Sequence, residues 1–275
     1  MIDVKILPFN AEEADQEYID KYFRLRKQVF IDKMGWELFE AIGYEMDEYD
    51  CHAAIYAIAV DTVTGVVLGG ARLIRTTREE YSSSICVEPN SYMIRDAYLQ
   101  RIEGIPANLC FSLPPVDPAV WELTRFVSVG NMRVGPLILT AVNDHLASIG
   151  ARECLFLGPP TFMRMAKIMK FSPKPLGNLV ANEHATFLAF SCEIVRERPA
   201  GERATKKESA KKTGAFPVAE LFDVTLERVG IVFKWNTGDE EVSWTKDQAG
   251  GADASKYRRV DLPSHYASGP KSNVV

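Results

Sequence analysis

The sequence predicts a mixed α/β (α+β) sandwich, a twisted sheet flanked by helices, and three observations carry that expectation. Apolar residues recur at helical spacing near the N-terminus, two strand-like apolar runs follow with a turn between them, and strands then alternate with helices. No internal repeat interrupts this order.

Over residues 12–34, Ile19, Tyr22, Phe23, Arg26 and Phe30 fall at three- and four-residue steps, which is one face of a helix. HAAIYAIAVD and VVLGGARLIRT read as strands joined through DTVTG, so a hairpin is expected. The connection over 77–118, with Pro89, Pro106, Pro114, Pro115 and Pro118, is expected to hold little regular structure. WELTRFVSV reads as a buried strand, RVGPLILTAVNDHLASIG as a helix closed by a glycine, ECLFLG as a strand, TFMRMAKIMKF as a helix and TFLAFSCEIV as a strand. Composition then changes to RERPAGERATKKESAKKTG, a charged, small-residue linker. A domain over 1–195 is expected, with 196–275 a linker and C-terminal extension, partly disordered although VGIVFKW and EEVSW have strand character.

The 275 residues are 47% hydrophobic, enough for a real core, and the net charge of −5 argues against a nucleic-acid partner. No apolar run approaches the roughly 20 residues that span a bilayer, and MIDVKILPFNAEEAD lacks a signal-peptide pattern, so a cytoplasmic protein is expected. Cys51, Cys86, Cys110, Cys154 and Cys192 form no CxxC pair and the four histidines show no ligand spacing, which indicates neither a disulfide framework nor a metal site.

Charges in apolar stretches are the informative feature. Arg26 lies one turn from both Tyr22 and Phe30, so its side chain leaves the helix on the apolar side. Arg72 sits inside GGARLIRT, and Glu122 and Arg125 sit inside WELTRFVSV. Unpaired, each buried charge costs several kcal/mol, so these groups are expected to share a polar cleft with carboxylates, of which Asp47 and Asp50 are the nearest suppliers. Glu122 and Arg125 are three apart and would face opposite ways in a regular strand, so a bulge or a strand end must intervene. A purely structural ion-pair network is the competing reading.

Arg26, Phe30, Trp36, Asp47 and Asp50, then Arg72 in an ARL segment, then Glu122, Arg125 and Phe126 in ELTRF, resemble in type and order the signature of the acyl-homoserine-lactone synthases, the autoinducer synthases of quorum sensing. The likeness runs over about 20–195 and includes MRMAKIMKF and PLG, although FSPKPLG departs from the Gly-Trp usual there. It implies a GNAT-like three-layer sandwich, S-adenosylmethionine as substrate rather than any tightly bound cofactor, and an acyl thioester of acyl-carrier protein or coenzyme A as donor. It implies further that Glu122 is the base, that Trp36 packs near the adenosyl group, that Arg26 braces the acidic pair or the ligand carboxylate, and that Phe30, Asp47, Asp50, Arg72, Arg125 and Phe126 bind substrate.

In VGNMRVGPL, Arg133 and Gly135 stand where acetyltransferases cradle a pyrophosphate, but the loop is degenerate, which favours a carrier-protein donor. Acidic carriers need a basic surface, for which Arg164, Lys167, Lys170 and Lys174, with Arg133 and Arg152 adjoining, are candidates. The LFLG run, Leu155 to Gly158, offers only apolar side chains where, by the same resemblance, relatives making β-keto products often have a hydroxyl residue, so the resemblance implies an unsubstituted acyl chain. A GNAT-type acyltransferase on another amine and a non-catalytic acyl- or carrier-binding protein are the alternatives.

Overall fold

The computed structural model describes residues 1–77, 90–102, 104–130, 132–181 and 186–196. The chain runs through β1 (Ile2–Pro8), α1 (Glu13–Arg26), a π-helical turn (Lys27–Lys33), a small hairpin of β2 (Glu40–Ala41) and β3 (Tyr44–Glu45), and the long hairpin of β4 (Ile55–Asp61) and β5 (Val67–Arg75). Then come α2 (Met93–Tyr98), a 3-10 turn (Ala107–Leu109), β6 (Val120–Ser128), α3 (Val134–Ser148), β7 (Glu153–Gly158), α4 (Pro160–Ile168), β8 (Pro173–Pro175), β9 (Val180–Ala181) and β10 (Thr186–Glu193). The eight-stranded sheet has the order β1-β4-β5-β6-β7-β10-β8, with β9 also on β10. All pairs are antiparallel except β6 with β7.

Alternation along the strands sorts side chains into two layers. Tyr56, Ile58 and Val60 of β4 pack under α1 with Tyr22 and Phe23, whereas Ala57, Ala59, Ala71, Leu73 and Leu123 face α3 through Val134, Ile138 and Val142. The layer holding α1 continues into a cluster of Tyr49, Ile74, Tyr92 and Leu155 around α2, and α4 covers Phe190 and Cys192 on the other layer. The expected mixed sheet flanked by helices is the architecture found, and no helix among the described residues is long and apolar enough to cross a membrane.

Three elements differ from the sequence reading. The helix expected over 12–34 is α-helical only to Arg26 and continues as π-helix to Lys33. β1 was not foreseen; it is an edge strand held by its pairing with β4. The connection over 77–118 contains α2 and the 3-10 turn, because α2 is stabilised by a carboxylate far away in sequence, described below. Helix α3 closes as expected, Ala151 N–H reaching the Leu146 carbonyl at 2.9 Å and Gly150 N–H that of Ala147 at 3.2 Å, with Gly150 left-handed at φ 77°. The expected linker and extension lie outside the described residues from 197 onwards.

One close approach controls the layer under α1. A Cβ built on Gly70 would stand 2.7 Å from the Tyr22 ring, so glycine is what lets that ring lie on the sheet, where its hydroxyl donates to the Arg125 carbonyl at 2.6 Å. Gly70→Ala is therefore expected to displace the ring and cost about 1–3 kcal/mol of stability, more than Tyr22→Phe, which loses one hydrogen bond worth about 1 kcal/mol. Urea unfolding of the two variants checks this order, and a Gly70→Ala protein as stable as the parent would mean that the ring is not seated there.

Candidate functional site

Residues 44–51 fold into a knot of tight turns beside α1. The β2–β3 hairpin reverses through Ile42 and Gly43, both with positive φ, 55° and 80°, as a two-residue hairpin turn requires. Asp47 then closes an Asx-type turn by accepting from Tyr49 N–H at 2.9 Å, and Asp50 accepts from Asp47 N–H at 3.0 Å. Glu45, Asp47 and Asp50 are thereby aimed at α1 and β5.

Three arginines meet them. Arg26, fully buried, donates from Nη1 and Nη2 to the two Asp50 oxygens, each at 2.9 Å, and from Nε to Glu45. Arg72, also fully buried, donates from Nη2 to Asp47 at 2.9 Å and from Nε to the Thr124 hydroxyl at 3.1 Å, and its Nη1 reaches Asp47 and Asp50. Arg125 donates to Glu45 at 3.0 Å and pairs with Asp47 at 2.8 Å, and the Tyr56 hydroxyl donates to Asp50 at 2.9 Å. Burial pushes the Asp47 and Asp50 carboxyls up, but Arg72 and Arg125 around the first, and Arg26 and Arg72 around the second, outweigh it and hold both below the ordinary carboxylate range. Three cations face three anions, so the network is closed and nearly dry. Only Asp47 and Arg125 keep accessible side-chain surface, 11% and 12%, and they form its open lip.

Arg125 joins this network because β6 bulges. Arg72 pairs with Thr124 but Gly70 with Val127, which leaves one extra residue in β6 between them. Arg125 there has φ 51°, and its carbonyl is pinned by Tyr22. Glu122, Thr124, Arg125 and Val127 consequently share the α1 layer. The two residues expected to need a bulge have one, and they come to the same side.

Glu122 is nevertheless not a member of the network. It lies fully buried, accepting from Met93 N–H at 3.0 Å and Ile94 N–H at 2.7 Å. Those are first-turn amides of α2, which has no side-chain cap of its own. Burial raises the Glu122 carboxyl to about 7 against the opposing pull of these two hydrogen bonds and of Arg72. The third carboxylate of the network is Glu45, which the sequence reading missed. Charge counting could not have found it, since Asp47, Asp50 and Glu122 already balanced the three arginines in the sequence reading. Tyr49 links the two groups: Arg72 lies 5.5 Å from its ring centroid, and its hydroxyl donates at 2.9 Å to buried Asp96, the partner of Ser91 and Arg101.

The π-helical turn explains Trp36. Its wide winding ends with Trp36 N–H on the Phe30 carbonyl at 2.9 Å, and Gly35 at φ 68° turns the chain back. The indole stacks on Phe30 at 5.2 Å between centroids and 6° between planes, half-exposed above the buried phenyl ring.

Beside Glu122 the sheet opens. β6 and β7 pair only from Val120 with Glu153 to Leu123 with Phe156, after which the two strands continue without pairing. Phe126, grouped with Arg125 in the sequence reading, points to the opposite layer because the alternation resumes after the bulge, and it meets Phe162 edge-on at 5.3 Å. The surface cations do not form one patch. Arg164 and Lys167 on α4 and the neighbouring Lys170 are exposed, and Lys174 pairs with Glu193. Arg152 pairs with Asp117 at 2.9 Å, at the far end of a 15-residue helix from Arg133, roughly 22 Å away.

Residues 10–134 match the family model described as autoinducer synthase. The chain is 29% identical over 183 residues to an acyl-homoserine-lactone synthase of Pseudomonas fluorescens, covering 66% of this chain and 82% of that one. It is 35% identical over 157 residues to one of Ralstonia solanacearum, covering 53% and 65%. Among solved structures, the CoA-dependent acyl-homoserine lactone synthase BjaI with SAM and isopentyl-CoA superposes with a TM-score of 0.57 at 21% identity, covering 84% of this chain and 90% of that one. TofI in a ternary complex with an inhibitor and MTA gives 0.55 at 23% identity, covering 70% and 91%. At such identities the two structures speak for the fold, and with the family match over residues 10–134 and the sequence relatives, the chain is similar to the acyl-homoserine-lactone synthases in sequence and in fold.

Proposed function

We propose that this chain acylates the amine of S-adenosylmethionine from an acyl thioester and closes the product to an acyl-homoserine lactone with release of methylthioadenosine, for quorum sensing. The observation that carries the reading is the arrangement on the α1 layer. A charge-balanced network whose lip is Asp47 and Arg125 adjoins a buried carboxylate with a pKa of about 7, at the place where β6 and β7 part.

An amino acid carrying both ammonium and carboxylate finds one anion and one cation at that lip. Arg26, Asp50 and Arg72 take the bracing role behind it, and the Phe30–Trp36 stack offers an aromatic face for the adenine. In the first step the neutral amine attacks the thioester carbon. The nitrogen loses its proton to Glu122, directly or through one water, and the C–S bond breaks to free the thiol. Unpaired amides of the parted strands are suited to the developing oxyanion. In the second step a carboxylate oxygen of the methionyl group attacks its own γ-carbon, and the bond to the sulfonium breaks. The protein's part there is to hold the folded geometry.

Arg164, Lys167 and Lys170 support docking of an acidic acyl-carrier protein at α4, with coenzyme A as the other donor. The reading places the reaction in the cytoplasm and in residues 1–195, leaving 196–275 as an appended segment. Incubating the purified full chain with S-adenosylmethionine and acyl thioesters of both carriers tests it. Stoichiometric lactone and methylthioadenosine are expected, whereas methylthioadenosine without lactone, or neither with any donor, would overturn it.

A further inference from the structure

The two amides that hold Glu122 belong to a helix that cannot stand alone. Helix α2 is six residues long, well under the roughly 12 to 15 at which isolated helices become even marginal in water, and Tyr92 before it supplies no side-chain cap. Met93, Ile94 and Ala97 bury an apolar face in the cluster around Tyr49 and Leu155. Apolar contact is not directional, so burial alone leaves the helix able to roll or slide on that face.

Direction comes from Asp96. One of its carboxylate oxygens accepts from the Tyr49 hydroxyl at 2.9 Å and from the Ser91 hydroxyl, and the other accepts from Arg101 Nη1 at 3.3 Å. Its carbonyl accepts from Arg101 N–H at 2.8 Å. The side chain is fully buried, which makes these bonds costly to lose. Asp96 stands three positions after Met93, and a helical side chain leans towards the N-terminus, so the carboxylate is carried back to Ser91 and to the end of α2 that Glu122 occupies. Tyr49 belongs to the ionic network as well: its amide donates to Asp47 at 2.9 Å and Arg72 lies over its ring. Asp96 thus joins the lip at Asp47 to the helix that holds the base.

We infer that Asp96 is a positioning residue of the reaction: with Tyr49, Ser91 and Arg101 it fixes α2 against the ionic network, so that the Met93 and Ile94 amides aim Glu122 at the fork of β6 and β7. The inference rests on the proposed reaction, in which Glu122 takes the proton. The titratable and charged groups that face Glu122 are Arg72 from β5, Asp96 of α2, Tyr92 before it, Cys110 after the 3-10 turn and Cys154 from β7. Burial pushes the Tyr92 hydroxyl and both thiols up, so these stay neutral near pH 7. Burial also raises the Glu122 carboxyl; the two amides and Arg72 draw it down, and Asp96 adds to the rise.

The test compares the full chain with its Tyr49→Phe and Asp96→Asn variants, the first keeping the ring over Arg72 and the second keeping the shape of the carboxylate. Two readouts need no reaction: amide hydrogen exchange at Met93 and Ile94, and the pH near 7 at which stability falls as Glu122 ionises. The third is lactone formation. Both variants are expected to speed exchange at Met93 and Ile94 by about tenfold beyond any change in the amides of β4 and β5. Asp96→Asn should also move the fall in stability to lower pH by about one unit, which Tyr49→Phe should not. The kcat on the high-pH plateau should drop by about tenfold or more in both, with the KM for S-adenosylmethionine little changed. The inference is overturned if exchange at the two amides stays parental or rises only in step with β4 and β5, if the fall in Asp96→Asn stays at the parental pH, or if kcat is unmoved in both variants. In each of these cases lactone formation by the parent still stands. Local exchange and a shifted fall in a protein that turns over no donor would support the hold of Asp96 on α2 and overturn the reaction instead.

Discussion

Replacing Asp50 with alanine is expected to destabilise the fold by about 3–5 kcal/mol, the range for removing one partner of a buried charge pair. The carboxylate takes both Nη groups of Arg26, Nη1 of Arg72, the Tyr56 hydroxyl and the Asp47 amide, and none of these can reach water. Its loss leaves two fully buried guanidinium groups facing the charge of only Glu45 and Asp47. Asp50→Asn should fall between the parent and the alanine variant, because it keeps one acceptor but turns an amide donor towards a cation. Urea unfolding measures both, and a loss below about 1 kcal/mol for the alanine variant would mean that water reaches the arginines. In the parent, the lowered Asp47 and Asp50 carboxyls contribute stability that is present above about pH 4, the unfolded value, and is lost as pH falls through the folded values.

Glu122→Gln should slow lactone formation by about 100- to 10,000-fold, the usual contribution of a general base, with the KM for S-adenosylmethionine little changed. In the parent, the rate should rise with pH through about 7 as Glu122 ionises, and this limb should vanish in the glutamine variant. The titration of the substrate amine remains in both proteins, so the comparison isolates the side chain. Turnover undiminished by the change would remove Glu122 as base. The same group affects stability with the opposite sign to Asp50. Its folded pKa is raised, so its contribution is complete below about 4.5 and is lost as pH rises through about 7, a fall of about 3 kcal/mol. The glutamine variant should lack that fall, although it leaves one of the two α2 amides facing a donor instead of an oxygen. The acidity that suits Glu122 to accept a proton near neutral pH thus comes from the burial that makes it costly to ionise.

Much of this site was legible because its ionic residues interrupt apolar patterns that are themselves strong. Arg26 is conspicuous between Tyr22 and Phe30, and Glu122 between Trp121 and Leu123, so a buried polar centre followed from the cost of leaving such charges alone. The hairpin of β4 and β5, the strand β6, the helix α3 and its glycine stop were readable from local periodicity and turn chemistry alone. What could not be read depends on distant partners. Helix α2 is six residues in a proline-punctuated stretch and takes its N-terminal acceptor from Glu122, 28 to 29 positions away. The bulge at Arg125 is fixed by Tyr22, 103 positions away, over a glycine on a third element. The same bulge puts Phe126 on the layer opposite Arg125, since one inserted residue reverses everything after it.

The wide turn between Arg26 and Trp36 sets the phase of everything after it. Removing one residue from Lys27–Lys33 would let that stretch rewind to ordinary pitch and rotate whatever follows by about 100°. The indole would swing off Phe30, and Glu45 and Asp50, which also lie downstream, would be carried away from Arg26. The aromatic face and the ionic floor of this protein are therefore set by one length of backbone and cannot be retuned separately by insertion or deletion.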